Sequence, residues 1–70
     1  MSKEIDFAIF CLESYKNYKS MTGKQVWTLF EKYGVIDYIK EFYDVLHTTG
    51  SQFINHDIEE YLNVRDAIEK

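Results

Sequence analysis

Proline is absent from this chain, and glycine occurs only at positions 23, 34 and 50. With so little punctuation, each glycine marks a candidate boundary between elements. A single cysteine, Cys11, excludes an internal disulfide framework and fits a reducing cytoplasm. No apolar run approaches the roughly 20 residues that a membrane-spanning helix needs. The opening MSKEIDFAIFCLESYK carries Glu4, Asp6 and Glu13 through its apolar stretch, unlike a secretory leader. The expected location is therefore cytoplasmic, with no membrane engagement. There is also no glycine-rich phosphate loop and no GxSxG elbow.

What remains is short, aromatic and acidic. The 70 residues allow one domain, residues 1–70. Hydrophobic residues make up 46% and aromatics 17%, which argues against disorder because large rings bury much area per residue. A chain of this size hides only about 60% of its unfolded surface on folding, so it gains from pairing. The net charge of −4 is uneven. Residues 1–35 hold five lysines against four acids, whereas residues 36–70 hold three cations against eight acids. Such a surface repels phosphate backbones and suits basic partners, and it also keeps a small protein soluble.

Apolar spacing predicts an all-α bundle of about four short helices, at 2–18, 22–33, 35–48 and 55–66. In the first, Ser2 is a candidate cap. Ile5, Ala8, Ile9, Leu12 and Tyr15 make one apolar stripe, and Phe7, Phe10 and Cys11 make a second. The second helix opens with a capping box, Thr22 to Gln25, buries Val26, Leu29, Phe30 and Tyr33, and ends at Gly34. The third repeats Ile36, Ile39, Phe42, Tyr43 and Leu46, and closes on His47-Thr48-Thr49-Gly50. Residues 51–55 read equally as strand, turn or helix. Asp57-Ile58-Glu59-Glu60 reads as the opening of the fourth helix, and Ile68 would extend its stripe while the tail frays.

No residue set requires a particular chemistry. His56 and Glu60 share one helical face, but zinc wants three or four convergent ligands, so no metal and no cofactor are expected. Cys11 lies in an apolar stripe, where a thiol is inert packing. No catalytic constellation is visible, so the chain does not read as an enzyme. A small helix-turn-helix regulator is the alternative. Lys16, Lys19 and Lys24 cluster, yet the third helix offers Asp37, Glu41 and Asp44 with only Lys40, and the net charge opposes nucleic acid. The aromatics exceed what four short helices need. Phe7, Phe10, Trp27 and Tyr38 are therefore candidate interface residues, toward another protein or a second copy of the chain. His47, Thr48 and Thr49 form a candidate binding loop, or else simply a helix cap with a satisfied histidine.

The segments KEIDFAIFCLESYK, TGKQVWTLFEKYGVIDYI, YDVLHTTG and IEEYL resemble a family of small uncharacterised bacterial proteins, a domain of unknown function, across residues 3–62. Some members are encoded beside ADP-ribosyltransferase-like toxins. The resemblance implies an antitoxin-like or regulatory partner of a neighbouring gene product, and it carries over no catalytic residue. The expected function is thus a non-enzymatic protein-protein interaction module.

Overall fold

The computed structural model describes residues 2–69, with side chains described through residue 66. The tail expectation for Ile68 lies outside the described side chains. Five helices follow one another: α1 (Lys3–Lys19), α2 (Gly23–Tyr33), α3 (Val35–Glu41), α4 (Tyr43–Leu46) and α5 (Ser51–Glu69). The described residues contain no strand.

Local chemistry sets the first four boundaries. The Ser2 hydroxyl accepts from the Ile5 amide at 3.2 Å, satisfying a free donor at the start of α1. α1 ends with Ser20 at φ +55°, a left-handed cap adopted without a glycine. At α2 both halves of the capping box form: Gln25 N–H donates to Thr22 Oγ1 at 3.1 Å, and Thr22 N–H donates to Gln25 Oε1 at 3.0 Å. Gly34 sits at φ +67°, so α2 and α3 are separate elements joined by one left-handed residue.

Two expectations are corrected. The stretch 35–48 is not one helix, because Phe42 (φ −103°, ψ 22°) leaves the helical region and divides it into α3 and α4. The uncertain stretch 51–55 is helical, and α5 starts at Ser51 rather than near residue 55. Gly50 is not at positive φ; its carbonyl instead accepts from Phe53 and Ile54, which makes it the residue that opens α5. Asp57 therefore lies inside the helix and caps nothing.

α1 packs against α2, α3 and α5. Its buried face runs through Ala8, Cys11 and Tyr15, between the two stripes read from the sequence, and leaves Ile9 and Phe10 half exposed. Val26, Phe30, Val35, Ile39, Ile54 and Ile58 fill the centre. Full burial of each is worth on the order of 1.5–3 kcal/mol. Burial alone pushes the Cys11 thiol up to about 12, so it stays protonated as a small apolar filler.

Candidate protein-binding groove

Where α1 passes α2 and α3, the small side chain of Ala8 leaves a groove of about 220 Å³. It is lined by Ile5, Ala8, Ile9 and Leu12 from α1, Trp27 from α2 and Ile36 from α3. The helical spacing of 5, 8, 9 and 12 puts four of these on one flank of α1. Every lining side chain is apolar. Trp27 and Ile9 are 50% and 51% exposed, so each lines the groove with part of its side chain and stays largely in contact with water.

The four aromatic interface candidates separate into two pairs. Trp27 and Phe10 are half exposed. Phe7 and Tyr38 pack against the core instead. Phe7 meets Tyr43 edge-on at 5.4 Å and stacks on Phe10 at 6.1 Å. Tyr38 stacks on Tyr61 at 4.3 Å and meets Phe42 at a tilt at 5.1 Å, while its hydroxyl donates to Asp57 at 2.6 Å. Arg65 lies over the far ring, 3.8 Å from the Tyr61 centroid, and Tyr61 O–H donates to the Tyr33 carbonyl at 3.2 Å. Phe10 and Trp27 are not brought together, because only Trp27 lines the groove. Sequence reasoning missed Ile9, which it assigned to a buried stripe; Ile36 does pack against the core, partly buried, and lines the groove as well.

In the loop after α4, the polar side chains turn back onto that helix. His47 Nδ1–H donates to the Tyr43 carbonyl at 2.7 Å, with its ring stacked on Tyr43 at 4.4 Å. Thr48 and Thr49 hydroxyls both donate to the Val45 carbonyl, at 3.0 and 3.1 Å. These bonds satisfy carbonyls that a helix end leaves open, which favours the cap over the loop that grips a ligand.

His56 Nε2 stands 3.5 Å from Glu60 Oε1, as their spacing requires. Among the described residues, no three His, Cys, Asp or Glu side chains converge as a metal site would need. Asn55 is buried in α5, and its Oδ1 lacks a partner. No helix among the described residues is long and apolar enough to cross a membrane.

The fold and groove together define a small all-α bundle with one exposed tryptophan beside an apolar slot. By sequence the chain belongs to the family of proteins of unknown function DUF3791, which matches residues 6–65. No curated protein and no solved structure matches the chain.

Proposed function

We propose that the protein is a non-enzymatic binding module whose α1–α2–α3 groove takes apolar side chains of a partner protein. The supporting observation is the groove, with walls free of polar groups and Trp27 half exposed at its side. Covering such surface gains about 25 cal/mol per Å² of apolar area removed from water. Tryptophan is also prominent among residues that dominate binding energy at interfaces. The finer form of this reading is a regulatory, antitoxin-like partner of a bacterial toxin encoded beside it, as the family resemblance implies. A second copy of the chain is the other protein occupant. The helix-turn-helix alternative has less behind it, since α3 is 7 residues long and exposes Asp37, Lys40 and Glu41.

Affinity capture from cells of the source organism tests the proposal. Wild-type bait is compared with an Ile9→Ser, Trp27→Ser variant, whose helicity should persist because both residues are half exposed. The expected result is a stoichiometric protein held by the wild type and lost from the variant. Sedimentation of both at micromolar concentration identifies a second copy as that occupant. Identical capture by both baits would overturn the assignment of the groove.

A further inference from the structure

A second cleft, walled by both apolar and polar side chains, lies in the molecule's acidic half, between α4 and the first turns of α5. It measures about 340 Å³ and is lined by Val45, Leu46, Thr49, Phe53, His56 and Asp57. Val45 and Phe53 are 65% and 70% exposed, more than any other large apolar side chain described. Both protrude, although Leu46 and Ile54 beside them in sequence are buried.

The sequence that supplies this cleft is one-sided in charge, and Asp57 lies in its wall. Residues 41–64 contain no lysine and no arginine, but carry Glu41, Asp44, Asp57, Glu59 and Glu60. Glu59 is turned toward Lys19 of α1, at 3.5 Å. Asp57 accepts the Tyr38 hydroxyl yet still forms part of the cleft wall. Glu41, Asp44 and Glu60 are exposed, Glu60 standing 3.5 Å from the cleft-lining His56. By contrast, α1 and α2, which supply most of the first groove, carry five lysines and four acids and so favour neither sign.

We infer that the α4–α5 cleft receives an amphipathic helix of a partner protein, one that bears lysine or arginine beside its apolar face. Apolar side chains three and four apart on that helix cover Phe53 and Val45, while its cations meet the acids of α4 and α5. The same negative field disfavours nucleic acid and an anionic membrane as occupants. This inference rests on the protein being a binding module, but not on the α1–α2–α3 groove, with which the cleft shares no residue.

The test uses a labelled, designed helix of leucine and lysine, about 18 residues long, and a twin with glutamate in place of lysine. Polarisation is read with the full chain and with its Phe53→Ser and Trp27→Ser variants. The leucine–lysine helix should bind at least about tenfold more tightly than its twin, a difference of roughly 1.4 kcal/mol. Phe53→Ser should weaken it at least about fivefold, as expected for an exposed anchor, while Trp27→Ser leaves it unchanged. No binding, equal binding of both helices, or indifference to Phe53→Ser would each overturn the inference. Binding that fails only in the Trp27→Ser variant would also overturn it, and would move the occupant to the first groove. If the peptide results hold but cellular capture ignores Ile9 and Trp27, the groove assignment falls and the cleft stands.

Discussion

The hydroxyl of Tyr38 on α3 donates to the carboxylate of Asp57 on α5 at 2.6 Å, across nineteen positions of sequence. It is a polar tie between two helices that also meet in the ring stack of Tyr38 on Tyr61. Tyr38→Phe keeps the stack and removes the bond. It should cost about 1 kcal/mol, the partial exposure of the pair bringing it below the range for bonds to a charged group. Urea denaturation measures this, and Asp57→Asn combined with Tyr38→Phe should cost less than the two singles together. Additive costs would mean that the two groups do not act as a pair.

Alkaline pH should destabilise the protein. Burial pushes the Cys11 thiol from its ordinary 9.0 to about 12. Burial, then the bond to Asp57, pushes Tyr38 from 10.0 to about 12. Both groups lose their protons earlier in the unfolded chain, which then binds fewer protons than the folded one. Stability is therefore complete below pH 9 and falls as pH rises through the interval to 12. The urea midpoint should be lower at about pH 10.5 than at about pH 8, with a smaller drop in Cys11→Ala. A midpoint that holds or rises would contradict the burial of these groups.

Gly34 and Ser20 share a left-handed backbone but differ in what they carry there. No atom lies within 4 Å of where a Gly34 Cβ would stand, so any penalty at that site is conformational rather than steric crowding. Gly34→Val should cost about 1–2 kcal/mol. Ser20→Gly should move stability the other way by a smaller amount, since it relieves the same strain. Thermal melts of the two variants should shift in opposite directions. A neutral Gly34→Val would rule out the left-handed junction between α2 and α3.

Phe7 and Phe10 stack on one another yet should respond differently to substitution. Phe7 is packed against Tyr43 and the core, so Phe7→Ser should cost about 2 kcal/mol. Phe10 is half exposed, and Phe10→Ser should change stability by no more than about 0.5 kcal/mol. Equal costs in denaturant would show that the two rings have equivalent surroundings.

Much of this architecture was legible in the sequence, because it is decided by neighbours in the chain. Ser2, the Thr22–Gln25 box and Gly34 act within a single turn, and each sits where its local chemistry places it. The break at Phe42 was not legible, since the three-and-four apolar rhythm continues from Ile36 to Leu46 with neither glycine nor proline between them. The start of α5 was misread because Asp57 carries a capping pattern, whereas its carboxylate is engaged by Tyr38 from another helix. The excess of exposed aromatics was legible, but not which rings. Phe7 is covered by Tyr43 and Tyr38 by Tyr61, contacts that only the tertiary fold creates. The groove itself depends on Ile9 and Ile36 from separate helices, and no local spacing announces that pairing.

Trp27 is the only tryptophan in the chain, and it lines the groove with half its surface in water. Its fluorescence therefore comes from a single indole that forms part of the groove wall. The most direct measurement is the emission and acrylamide quenching of Trp27 in the free protein and in its complex with the captured partner, which must itself lack tryptophan or carry fluorotryptophan. Occupation of the groove predicts a shift to shorter wavelength and clear protection from quenching, because apolar atoms replace water around the indole. A stable complex in which both signals match the free protein would contradict the central claim.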